Sequence, residues 1–113
     1  ISILLDIHKY ESLGYESIAV ICKTQQEAQI IEKELISLDN IKLLNIDDTE
    51  IIKGTVVIPS YVSKGLEFDV VLVFNVSKNN YNSEFDRNLL YVACTRALHQ
   101  LVIYYTGEKS DFF

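Results

Sequence analysis

Apolar positions along this chain alternate between two rhythms. Ile18 to Cys22, Ile41 to Ile46, Thr55 to Ser60, Asp69 to Val76 and Gln100 to Thr106 are short, mostly apolar, β-branched runs. They read as strands buried on both faces. Between them lie segments with helical spacing. Ser2 to Leu13 sets Ile3, Ile7 and Tyr10 on one face, with Gly14 as the stop. After Thr24, the residues Ala28, Ile31 and Leu35 share a face, and that helix is expected to end near Ser37. Thr24 and Glu27 form a capping box, in which the Thr24 hydroxyl takes the Glu27 amide and the Glu27 carboxylate reaches back. Ser83 and Asp86 repeat the pattern and open a third helix, expected to carry Arg96. Ile3-Leu4-Leu5-Asp6 has the look of a strand ending in a metal-binding aspartate. The helical spacing continues beyond it, so it stays a helix. Two-faced strands alternating with helices predict an α/β domain of three layers, a mostly parallel sheet with helices on both faces.

Within the third helix one residue breaks the pattern. At about 100° per residue, Phe85, Leu89, Val92 and Ala93 form an apolar stripe, and Arg96 falls in its middle. Arginine stays charged and is rarely buried alone. Two outcomes are open: an internal carboxylate meets it, or it reaches through an edge of the domain toward an anion such as a phosphate. Arg87 projects from the opposite side and is expected in solvent.

Composition narrows the field. The 113 residues are 49% hydrophobic, enough for one core, and carry a net charge of −6. An acidic domain has no global field for nucleic acid, so any contact with one is local or shared with other domains. No linker, repeat or membrane-length apolar run is present, and no signal pattern begins the chain. The first residue is Ile1, which suggests a piece of a longer protein, and the cysteine usage sets a cytoplasmic protein as the default expectation. Cys22 and Cys94 are the only cysteines, and His8 and His99 lie far from both in sequence. Reduced, packed thiols and no metal site are expected.

Ser63-Lys64-Gly65-Leu66-Glu67-Phe68 and Leu90-Tyr91-Val92-Ala93-Cys94-Thr95-Arg96-Ala97 together resemble motifs V and VI of superfamily 1 helicases of the UvrD/Rep type, the AKGLEF and YVxxTRA elements. Ile18 to Ala28 is similar to the strand and turn of motif IVa. Order and spacing agree, over most of the chain from about Ile18. The resemblance implies that residues 1–113 are a single C-terminal RecA-like (2A) motor domain, a fragment of a longer helicase.

The family's roles carry over residue by residue. Arg96 matches the motif VI arginine, which crosses the cleft between two RecA-like domains to the γ-phosphate of ATP. Its planar fork suits phosphate oxygens better than a lysine. Glu67 matches the glutamate that contacts the ATP ribose. Gly65 would let the backbone bend and approach a ligand, with Lys64 beside it. Lys64, Gly65 and Glu67 are expected at a strand's end, where α/β folds usually bind ligands. Tyr91 is read as packing, and Thr95 as support for the helix or cleft.

Other motor parts are missing. None of the four glycines begins a Gly-x-x-x-x-Gly-Lys-Ser/Thr phosphate loop, no DExx segment exists, and the motif IV arginine is absent. ATP with Mg2+ would be bound mainly by a first RecA-like domain of the same parent chain, and the isolated chain is expected to be inactive and monomeric. Pro59 and Tyr61 stand where DNA-translocating relatives have a threonine and a histidine, and Lys23 where motif IVa often has arginine. These departures are closer to the HelD-like branch, ATPases that remodel RNA polymerase. The alternatives are therefore a DNA helicase or translocase, a HelD-like motor, and a non-catalytic degenerate domain kept as a binding module.

Overall fold

The computed structural model describes residues 2–35, 42–43 and 54–112. Among these residues, three α-helices, α1 (Ser2–Ser12), α2 (Gln25–Leu35) and α3 (Glu84–Cys94), accompany five strands: β1 (Ser17–Cys22), β2 (Lys42–Leu43), β3 (Gly54–Pro59), β4 (Phe68–Val73) and β5 (Ala97–Ile103). The sheet order is β2-β3-β1-β4-β5, and every neighbouring pair is parallel. Of the strand expected over Ile41 to Ile46, only β2 is described; the rest, and the helix end near Ser37, lie outside the described residues.

Successive residues of a strand point to opposite faces, so a strand buried on both must be apolar throughout. β1 does this: Ala19 and Ile21 pack under α3 with Val56, Ile58, Phe68, Val71, Leu90 and Ala93. Ile18, Val20 and Cys22 face the other way, onto Ile7 and Tyr10 of α1 and Ala28, Ile31 and Leu35 of α2. The result is the expected three layers. Truncating a fully buried side chain such as Ile58 to alanine should cost about 2–5 kcal/mol.

α1 ends where the glycine predicts. Gly14 has φ 93°, and the Tyr15 amide reaches back to the Tyr10 carbonyl at 3.3 Å. β4 stops three residues before the expected Val76. The chain turns out of the sheet at Asn75, whose φ of 58° asparagine tolerates better than most residues. β5 starts three residues before the expected Gln100. Phe68 pairs with Ala97, and the Phe68 amide donates to the Arg96 carbonyl at 3.0 Å. Its first half is exposed, because β5 is the sheet's edge among the described residues. That exposure hid it from an apolar pattern.

Parallel strands give the sheet a carboxyl edge and an amino edge. α3 starts at the carboxyl edge and delivers the chain to the amino edge, where β5 begins.

Candidate functional site

At the carboxyl edge, the turn after β1 presents Lys23. Its ammonium lies 2.8 Å from Asp86 Oδ1 and donates to the Asn80 carbonyl at 2.7 Å. Asp86 is only 5% exposed. Its other oxygen accepts the amides of Asn82 and Ser83 at 3.1 and 3.2 Å, while the Ser83 hydroxyl accepts the Asp86 amide at 3.1 Å. This completes the expected capping box of α3. Burial alone would raise the Asp86 pKa. Lys23, the two amides and the Ser83 hydroxyl overcome it and hold the carboxyl at about 2.

The capping box of α2 is shifted by one residue. Thr24 Oγ1 accepts the Glu27 amide at 3.2 Å, but Glu27 Oε1 returns to the Lys23 amide, not to Thr24. Glu27 Oε2 is thereby free to accept the side-chain amides of Asn75 and Asn80 at 3.2 and 3.1 Å. Sequence spacing finds each box singly. Neither local pattern shows that Lys23 and Asp86, 63 positions apart, form one ion pair (86 − 23).

At the amino edge, the wheel placed Arg96 incorrectly. α3 ends at Cys94, with Thr95 as its C-cap, so Arg96 lies beyond the helix. The buried face is Asp86, Leu90 and Ala93, while Phe85 is 70% exposed. The stripe is rotated because Asp86 turns inward to its lysine. Arg96 is half-buried at the junction of α3, β4 and β5. Its amide donates to the Ala93 carbonyl at 3.2 Å, and its carbonyl takes the Phe68 amide. Nε donates to the Val92 carbonyl at 3.1 Å and Nη2 to Thr95 Oγ1 at 3.1 Å. Among the described residues no carboxylate pairs with it. The half-buried Asp69 is taken elsewhere: its Oδ2 accepts the amides of Glu16 and Ser17 at 3.0 and 3.3 Å, and its Oδ1 lies 3.8 Å from His99 Nε2. Arg87, by contrast, is exposed and 3.7 Å from Glu84.

The pairing of Phe68 with Ala97 makes Glu67 and Arg96 neighbours across β4 and β5. Both precede their strands, so Lys64, Gly65 and Glu67 lead into the amino end of β4. They stand at a strand's end, as expected, and that end is the amino one: the chain leaves β3 at the carboxyl edge and returns across the sheet before β4. Lys64, Gly65 and Glu67 are exposed. Gly65 has φ 85°, and open space surrounds the position of a β-carbon. The positive φ serves the turn, and no neighbouring side chain or backbone crowds it. Tyr91 does not pack into the core; it is 70% exposed. It borders a cavity of about 230 Å³ with Arg87, Leu90, Cys94 and Phe112. Both cysteines are free, and burial pushes the Cys94 thiol up to about 11. Among the described residues no cluster of three His, Cys, Asp or Glu side chains could hold a metal ion. No helix there is long and apolar enough to cross a membrane.

An all-parallel α/β sheet covered on both faces, with these elements in this order, is the architecture of a helicase C-terminal domain. A solved structure described as the C-terminal domain of a possible DNA helicase from Lactobacillus plantarum WCFS1 superposes with a TM-score of 0.85. The two are 31% identical over 98% of this chain and 68% of that one. The model of the UvrD-like helicase C-terminal domain matches residues 54–104, from β3 through β5. No curated protein matches the chain. The chain belongs to the UvrD-like helicase C-terminal domain family, part of superfamily 1, and as a C-terminal domain it implies an N-terminal partner domain.

Proposed function

We propose that this domain is the second RecA-like motor domain of an ATP-dependent superfamily 1 DNA helicase or translocase, and that it completes an ATP site between two domains. One observation carries the reading. At a single edge, Arg96 keeps part of its guanidinium without a carboxylate partner among the described residues, in register with the exposed Glu67. A guanidinium with open donors takes phosphate oxygens. An exposed carboxylate takes vicinal hydroxyls. The residues fit a nucleotide's anionic end and sugar, and they offer nothing for its Mg2+.

Arg96 would stabilise charge on the γ-phosphate, Glu67 would hold the ribose, and the Lys64-Gly65 turn would set the approach of Glu67. ATP supplies the phosphoryl group transferred to water, and its Mg2+ and β-phosphate need the phosphate loop of the partner domain. The test is steady-state ATPase of the full-length protein carrying this chain. Arg96→Ala should collapse turnover. Wild-type turnover in that variant would leave the domain as a degenerate binding module.

A second reading has its own observation. Pro59 ends β3 at the carboxyl edge, and Tyr61, 53% exposed, follows it in a single 3-10 turn, Ser60–Val62. No threonine-histidine pair is offered to a single strand there. This favours a HelD-like motor acting on RNA polymerase. ATPase stimulated by RNA polymerase but not by single-stranded DNA would select it; the reverse would select the helicase.

A further inference from the structure

The sequence leaves Thr95 as general support beside Arg96. The hydrogen bonds around it are more specific. Thr95 caps α3, and its hydroxyl donates to the Val92 carbonyl at 3.0 Å. With its one proton committed, the oxygen presents its lone pairs outward, and Arg96 Nη2 donates to it at 3.1 Å. Arg96 Nε donates to the same Val92 carbonyl at 3.1 Å. That carbonyl belongs to the last turn of α3, where helix carbonyls lack intrahelical partners and carry partial negative charge.

The consequence is directional. Nε and Nη2 form one edge of the guanidinium fork, and that edge is docked on the end of the helix. The opposite end, Nη1 with the second Nη2 hydrogen, has no partner among the described residues. Backbone bonds fix the root of the side chain: the Arg96 amide to Ala93 and its carbonyl to Phe68, at 3.2 and 3.0 Å. With Nε alone bonded, the guanidinium plane could still swing. The second bond, to Thr95, fixes it.

We propose that Thr95 is a positioning residue that orients Arg96 end-on toward an anion outside the domain. This rests on the reading of Arg96 as a γ-phosphate ligand. It assigns Thr95 no contact with nucleotide; it acts through Arg96.

The test uses the full-length protein, with kcat and KM for ATP measured beside thermal unfolding. Thr95→Val keeps the branched shape and removes the acceptor. It should lower kcat by about 10-fold or more, since a misdirected catalytic group is costly, with KM within about twofold and Tm unchanged. Thr95→Ser keeps donor and acceptor and should restore kcat. Thr95→Val combined with Arg96→Ala should be no slower than Arg96→Ala alone, because the hydroxyl has nothing left to orient. Full activity in Thr95→Val, with Arg96→Ala collapsed, would overturn the positioning role and leave the ATP-site reading standing. So would a loss that Thr95→Ser fails to rescue, or one that adds to that of Arg96→Ala. Wild-type turnover in Arg96→Ala would remove the ATP-site reading and the proposal together. If Thr95→Val does not fold, Thr95→Ala removes the same acceptor and is judged by the same criteria.

Discussion

The two edges of the sheet each carry a half-buried cation, and they treat it in opposite ways. At the carboxyl edge, Lys23 is closed off by Asp86 and the Asn80 carbonyl, and Asp86 is closed off in turn by two amides. Each strong donor or acceptor of that pair meets a partner from its own chain. At the amino edge, Arg96 is secured on one side by a carbonyl and a hydroxyl, both neutral, and its charge stays uncompensated among the described residues. A charge taken from water needs a counter-charge or continued access to solvent or ligand. The first edge therefore resembles a joint holding β1 to α3, and the second a surface built to meet something else. On the proposed function, this would reverse the usual habit of α/β folds, whose ligands gather at the carboxyl ends of strands.

The comparison breaks most cleanly at Arg96. In the full-length protein, Arg96→Ala is expected to cut kcat by about 10³-fold, with a stability loss of about 1–2 kcal/mol from two lost, partly exposed hydrogen bonds. Arg96→Lys should recover little, since a point charge cannot dock one edge and offer the other. Unfolding of Arg96→Ala, with no catalytic defect in the folded fraction, would make the two edges alike.

Lys23 should give the mirror image. Lys23→Met leaves Asp86 buried without its cation. Breaking a fully buried pair costs about 3–5 kcal/mol. Lys23 keeps 21% of its side chain exposed, so about 2 kcal/mol is expected from denaturant unfolding. The variant's stability would fall while the ATPase of its folded fraction holds.

The same joint has a pH signature. Asp86 is depressed from 3.8 to about 2 on folding, so its contribution is present above pH 3.8 and fades as pH falls toward 2. After allowance for solvent screening it is worth about 1–2 kcal/mol at neutral pH. Asp86→Asn should thus be less stable than wild type at pH 7, and the gap should shrink between pH 4 and pH 2. A gap that persists unchanged at pH 2 would show that the charge on Asp86 is not what stabilises the joint.

Much of this was legible in the sequence, and the limits are physical. The layers follow from local patterning, because a strand such as Ile18 to Cys22 can be apolar throughout only when both faces are covered. Gly14 and the Ser83-Asp86 box mark helix ends through backbone geometry that acts over a few residues. The inner face of α3 was misread because its anchor is polar. Asp86 is drawn inward by Lys23, and a wheel that sorts residues by hydrophobicity turns that position outward. Tyr91 fails for the converse reason: its ring is apolar, yet it sits 70% exposed beside a surface cavity. β5 is an edge strand with polar and exposed positions, so its start at Ala97 was set by pairing with Phe68, which no local window contains. The neighbourhood of Glu67 and Arg96 arises from that same register, and motif spacing could name the two residues without showing why they meet.

The smallest expected effect concerns Glu67, and it sharpens what the amino edge is for. Glu67 is exposed, so Glu67→Ala should change stability by less than about 0.5 kcal/mol. If its carboxylate holds the ribose, the substitution removes hydrogen bonds worth about 0.5–1.5 kcal/mol each, a several-fold rise in KM for ATP. kcat should stay near wild type, because the sugar is bound equally in the ground and transition states. The split separates the two neighbours: losing Arg96 lowers kcat and losing Glu67 raises KM, from positions just ahead of adjacent strands at one edge. Unchanged KM with collapsed kcat would move Glu67 to the phosphate chemistry. An unchanged enzyme would confine the edge's function to Arg96, with the β4–β5 register serving only to seat the arginine.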